Sequence, residues 1–199
     1  MDPKDTFIKL LEWMGHNPLR LVMLIVLGVF CMAGWFVYTE KDAFMASYRA
    51  QQSLPHMNGK YEEVTNFILK RADADLVAIF DVNPLLNTRK LVSMTTKADG
   101  RIRTYDGTDV GLFTSNLDNN KDVISLMSGM VPCSQYLKPQ SYMGFVYVDQ
   151  GVTFMCRISV PPDPNKFIGQ ISVGWKDTPK DVEAMKIVIR VASEMLWTP

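Results

Sequence analysis

The chain has 199 residues, 47% of them hydrophobic, with 21 basic and 21 acidic side chains and a formal net charge of zero. That length suits one ordinary domain with an added segment, and with no basic excess for counterion release, nucleic acid is excluded as an expected partner. Only 2 His and 3 Cys are present; neither His16 nor His56 falls in the stretch that reads as globular, so no metal site and no cofactor are expected.

From Asp5 to Gly15, Phe7, Ile8, Leu10, Leu11 and Met14 recur at three-and-four spacing, with Lys4, Lys9 and Glu12 off that face. Two readings stand for this stretch. Either it is a short amphipathic helix lying along a membrane interface with Trp13 at the headgroups, or it extends the helix that follows.

Residues Leu21 to Tyr38 read LVMLIVLGVFCMAGWFVY, without a charge or a strongly polar side chain. As a helix the run covers roughly 27 Å, and Leu19, Arg20 and Thr39 bring it to the roughly 30 Å of a hydrocarbon core. Asn17-Pro18 marks its start, and Trp35 and Tyr38 suit the far headgroup level before Glu40, Lys41 and Asp42. It is apolar all round, unlike the helix of a soluble core. The bulky Trp-Phe-Val-Tyr stands where a signal peptide needs small residues for cleavage, so an uncleaved anchor is expected. Lys4, Lys9, Arg20 and the terminal amine precede the run, against Lys41 and Arg49 after it, which places the N-terminus in the cytoplasm and the C-terminal domain outside it.

Helical patterning continues from Thr39 to Leu54 through Phe44, Met45 and Tyr48, and a second helix aligns Tyr61, Val64, Phe67 and Ile68 before Ala72. Strand-like runs follow at Leu76 to Val82 and Leu91 to Thr96, parted by Asn83-Pro84. A helix is expected over Asn119 to Met130 with Val123, Ile124 and Met127 inward. Three strands are expected next, at Gly144 to Val148, Val152 to Val160 and Phe167 to Trp175, the first two joined by a tight hairpin at Asp149-Gln150-Gly151. A last helix from Pro179 to Leu196 lines up Val182, Met185, Ile189, Ala192 and Leu196. The expected organisation is a cytoplasmic segment at 1–18, a span at 19–39, juxtamembrane helices at 40–72 and an outer domain at 73–199. That domain is α+β, with an antiparallel sheet flanked by helices. The order resembles PAS- and GAF-like sensor domains, a likeness at the level of fold.

Cys31 lies in the apolar run, which leaves Cys133 and Cys156 in the outer domain. An oxidising compartment would join them across a loop of about two dozen residues; two buried free thiols are the other reading.

Beyond His56 the chain has no histidine, which removes Ser-His-Asp and Cys-His arrangements and the HExxH zinc site. It has no GxxxxGK[ST] or GxGxxG phosphate cradle either. Asp73, Asp75 and Asp81 are close enough to consider as paired carboxylates, but Asp73 and Asp75 flank a helix-to-strand corner, where short acidic residues turn the chain. Glu40 and Glu62 both fail the Glu-x8-Asp/Cys-x5-Thr spacing of anchored phage muramidases, since Arg49 and Arg71 stand where the Asp or Cys belongs. No enzymatic activity is expected.

The layout as a whole resembles the holins of T-even-type bacteriophages. FIKLLEWMGHNPLRLVMLIVLGVF matches their N-terminal segment and span, and FMASYRAQQ their aromatic stalk. In the domain, ADLVAIFDVNPLLNTRKLVSM and FMCRISVPPDPNKFIGQISVGW match their strand pairs, and the last amphipathic helix also fits. Cys133 departs from the pattern, lying upstream of the Cys156 strand. The resemblance implies a protein that accumulates in the host inner membrane with its C-terminal domain periplasmic. It then self-associates into lesions that release endolysin for host cell lysis, and an antiholin binds the periplasmic domain and sets the delay. Gly28, Ala33 and Gly34 supply small residues for contact between spans in the bilayer, although small residues are also ordinary in membrane helices. The alternative is a single-span membrane protein whose extracytoplasmic domain binds a ligand or a partner; a transmembrane sensor of this kind would need an output module, which about twenty cytoplasmic residues cannot form.

Overall fold

A computed structural model describes residue 5 and residues 18–52, 56–164 and 166–197. The chain divides into two compact units at residue 54. The first contains α1 (Pro18–Gln52), 35 residues opening on a proline whose missing N–H is no loss in a first helical turn. Within it, Val22–Lys41 is, among the described residues, the one helical stretch long and apolar enough to cross a membrane by length and composition. The interfacial stretch Asp5 to Gly15, with Trp13, and the cap at Asn17 lie outside the described residues apart from Asp5.

The second unit is an α+β domain around one antiparallel sheet. In chain order it comprises α2 (Tyr61–Arg71), β1 (Leu76–Asn83), β2 (Thr88–Thr96), β3 (Gly100–Arg101), α3 (Leu117–Met127), β4 (Cys133–Gln135), α4 (Tyr142–Asp149), β5 (Phe154–Val160), β6 (Gly169–Trp175) and α5 (Val182–Met195). The sheet order is β3-β2-β1-β6-β5-β4, so β1 and β6, more than 85 residues apart in the chain, are central neighbours. Their register sets Val77 opposite Val173 and Ile79 opposite Ile171.

Strand alternation sends these four residues to one face, where Val64 and Ile68 of α2 and Ile189 and Ala192 of α5 complete a core cluster. Each such side chain taken from water contributes about 1.5–3 kcal/mol before entropy is counted. Helix α2, grouped by sequence with the juxtamembrane stretch 40–72, thus packs with the sheet. The Trp175 indole N–H, donating to the Ala72 carbonyl at 2.9 Å, ties the end of β6 to the end of that helix.

The opposite face carries Leu76, Ala78 and Phe80 of β1 and is covered by Met143, Val146 and Tyr147 of α4. A third cluster joins Val123 and Leu126 of α3 to Val82, Leu112 and Phe167. The inward face of α3 is therefore Asn119, Val123 and Leu126, while Ile124 and Met127, expected inward, are turned out; Ile124 is 58% exposed.

Gly144 to Val148 is helical, against the expected strand. Its β-branched and aromatic composition favours a strand locally, but burial of Met143, Val146 and Tyr147 follows a helical spacing, and Phe145 remains exposed. The expected hairpin at Asp149-Gln150-Gly151 is instead the end of this helix. The Val152 N–H reaches the Tyr147 carbonyl and the Gly151 N–H the Val148 carbonyl, closing a Schellman motif around Gly151 at φ 79°. A β-carbon at Gly144 would collide with the Tyr136 hydroxyl and crowd Pro139, so the absence of a side chain lets α4 seat against those two residues.

Candidate functional site

The strands β5 and β6 are buried on both faces along their whole length. On the face away from α2 and α5 they present Arg157, Gln170 and Ser172, and β2 adds Arg89. A polar layer is thereby enclosed between the sheet and its cover of α3, α4 and the segment joining them. Arg89 retains 5% of its exposure, as does Arg157, and Tyr147 3%.

The Arg89 guanidinium donates from Nη2 to Asn119 Oδ1 at 2.7 Å and from Nη1 to Gln170 Oε1 at 3.2 Å. Asn119 is positioned from the start of α3, where Asn116 Oδ1 caps the helix by accepting from the Asp118 and Asn119 N–H groups. Its own amide donates to the Leu112 carbonyl at 2.9 Å. Gln170 donates onward to Ser172 Oγ at 2.9 Å. The guanidinium carbon lies 5.8 Å from the Phe80 ring centre.

Arg157 is paired differently: its Nη1 donates to Asp122 of α3, and its guanidinium stacks 5.3 Å from the Tyr136 ring centre. Tyr136 and Tyr147 form a tilted pair with centres 6.2 Å apart. Burial lowers the Arg89 pKa to about 10, with Arg157 adding to the shift, so the guanidinium stays charged at neutral pH. Burial likewise pushes the Tyr147 phenol far up, which keeps its proton in place. Beside the cluster Asp109 accepts from the Arg89 and Gly111 backbone N–H groups, and these bonds hold its carboxyl below the usual range.

The cluster lines a partly open cavity of about 10 Å³ bordered by Arg89, Tyr147, Arg157, Gln140, Ser141 and neighbours. That is about the space of one water molecule and far below a drug-sized or nucleotide pocket. No pair of nucleophile and base is built here; the arrangement can hold charge and donate hydrogen bonds. Among the described residues no group of three or more His, Cys, Asp or Glu side chains is placed to hold a metal ion.

The residues singled out from sequence lie elsewhere. Cys133 and Cys156 are directly opposite on β4 and β5 and are joined by a disulfide, while Cys31 is a free, exposed thiol on α1. Gly28, Ala33 and Gly34 are exposed on α1, and a β-carbon added at either glycine meets nothing within 4 Å. Trp35 and Tyr38 are exposed on the same helix. Asp73 is ion-paired with Lys97 at 2.6 Å and Asp75 accepts from the Lys176 N–H, both structural roles at a corner. Arg89 and Arg157 escaped sequence reading because a strand charge, here Arg89 next to Lys90 and Arg157 alone in β5, is ordinarily read as facing solvent. The one available signal was the surplus of strongly apolar neighbours on both sides of Arg157.

Among solved structures the domain is similar to a far-red cyanobacteriochrome photoreceptor, with TM-score 0.52, 9% identity, and coverage of 80% of this chain and 94% of that one. It is similar to the GAF domain/HD domain protein from Geobacter sulfurreducens, with TM-score 0.52, 9% identity and coverage of 71% and 90%. A third likeness is to the chromophore-binding domain of a bacteriophytochrome from R. palustris, with TM-score 0.50, 11% identity and coverage of 78% and 59%. No family model matches the chain, and no curated protein matches it. At such identities the likeness is one of fold alone: an α+β domain with a six-stranded antiparallel sheet of the GAF type.

Proposed function

We propose that this chain is a single-span membrane protein whose GAF-like domain is an extracytoplasmic binding module, acting by association with no chemistry of its own. The observation that carries this is the interior of the domain. Its polar residues are engaged with one another around a cavity of about 10 Å³, which admits neither a chromophore nor a nucleotide. The outer surface is what remains for recognising a protein partner. The apolar Val22–Lys41 stretch supports the anchor, and the basic residues before it support an N-terminus in the cytoplasm.

A more specific second reading makes the module the periplasmic part of a T-even-type holin, with its own copies, an antiholin and the bilayer as partners. It is favoured by Gly28 and Gly34, whose open surroundings on α1 leave room for close approach of another span. Expression of the full chain in an Escherichia-like host separates the readings. A holin stops respiration abruptly after a delay and permits lysis only with endolysin present; a binding module does neither. For both readings, protease added to spheroplasts digests the domain and spares an N-terminal tag, and protection of the domain would reverse the orientation.

A further inference from the structure

We propose that the cavity between Arg89 and Tyr147 is a binding site for one small monovalent anion, chloride by size and charge. Three observations converge on it. Arg89 Nε and the Tyr147 hydroxyl, both on residues more than nine-tenths buried, have no partner among the described protein atoms, and both residues line the cavity. A buried donor left without an acceptor costs about 1–3 kcal/mol, more when charged.

Charge balance points the same way. The cluster contains two guanidinium groups, and Asp122, the acid acting on Arg89, is already bonded to Arg157. Asp109 interacts with the Arg89 charge but accepts from two backbone N–H groups and does not line the cavity. No acidic side chain lines the cavity. Among the described residues no carboxylate is therefore in ion-pair contact with the Arg89 guanidinium, and a single negative charge in the cavity supplies that partner.

Size and charge select the occupant. About 10 Å³ suits a monatomic ion and excludes phosphate or sulfate. A water molecule would accept from Arg89 and Tyr147 but must then place its own two protons. The amide oxygens beside it, Gln170 Oε1 and Asn119 Oδ1, each accept once from Arg89 and keep a second lone pair for those protons, so hydrogen bonding admits water and it is the charge that favours the ion. A halide accepts from every donor and has no proton to place. The ion bridges β2, through Arg89, to α4, through Tyr147, and so fastens the cover to the sheet.

The test uses the full chain in detergent, with thermal unfolding followed by tryptophan fluorescence in sodium chloride against sodium gluconate at equal ionic strength. Chloride is expected to raise Tm by several degrees along a saturating curve. Chloride-35 NMR lines should broaden in the presence of the protein and narrow when bromide competes. Tyr147→Phe keeps the ring and removes the donor, so it should fold and raise the half-saturating chloride concentration at least about tenfold. Arg89→Met should abolish the chloride response; if that variant does not fold, Tyr147→Phe decides. Equal melting in both salts with no line broadening, or an unchanged chloride response in Tyr147→Phe, overturns the proposal, the former meaning that the cavity holds water.

Discussion

Cys133 and Cys156 face each other across β4 and β5 with Cα atoms 4.1 Å apart, and their bridge spans 23 residues that include all of α4. The three-residue edge strand β4 has few backbone bonds of its own, so the bridge holds the cover of the polar cluster to the sheet. Cys133→Ser with Cys156→Ser is expected to cost about 3 kcal/mol through the freed unfolded chain. Urea unfolding of wild type with and without reductant measures it. Equal midpoints, or alkylation of both Cys133 and Cys156 without prior reduction, would count against the bridge.

Asp122 holds Arg157 inside the domain, and a second guanidinium lies in the same cluster. Asp122→Ala therefore strands a buried cation and should cost about 3–5 kcal/mol. Asp122→Ala combined with Arg157→Met should recover much of that loss. A double variant as unstable as the sum of its singles would show that the pair is not coupled.

Asp109 has a folded-state pKa below its unfolded value of about 3.9 because two backbone N–H groups favour the charged form. The stability it contributes is present above the unfolded pKa and is lost as pH falls through the folded one. Asp109→Asn should accordingly unfold at lower urea than wild type at pH 7, with the gap closing below about pH 4. A gap unchanged between pH 7 and pH 3 would mean that the carboxylate charge does not matter.

Val173 is fully buried in the core between sheet and helices, opposite Val77. Val173→Asp places a carboxylate there without a partner and should remove at least about 4 kcal/mol, seen as loss of protease resistance in the domain. Gly28→Leu and Gly34→Leu, on α1, should leave that resistance unchanged. In the holin reading the two sets also part in function. The α1 variants shift the time of lysis, while Val173→Asp mainly removes the response to co-expressed antiholin. If the α1 variants keep the original timing and Val173→Asp abolishes membrane damage at unchanged protein level, that division of labour is wrong.

Local pattern alone determined the elements in which burial and propensity agree. The apolar run of α1, the stripe of Ile189 and Ala192 in α5 continued by Leu196 at its end, and the apolar, β-rich runs of β1, β5 and β6 are legible to a reader of the chain. The α+β class followed from their order. Tertiary structure decided the rest where one face of an element met an unforeseen neighbour. Gly144 to Val148 became helical because packing against Phe80 and Tyr136 rewards Met143, Val146 and Tyr147 at helical spacing more than strand propensity rewards the run. Arg89 stands between Thr88 and Lys90 as a residue of a wet strand end would, and Arg157 is a single charge in an apolar run, yet α3 and α4 cover their face and bury both. Which side of a strand meets water depends on what packs over it, and that is settled by contacts between segments far apart in the chain, such as Arg89 with Asn119 and Gln170.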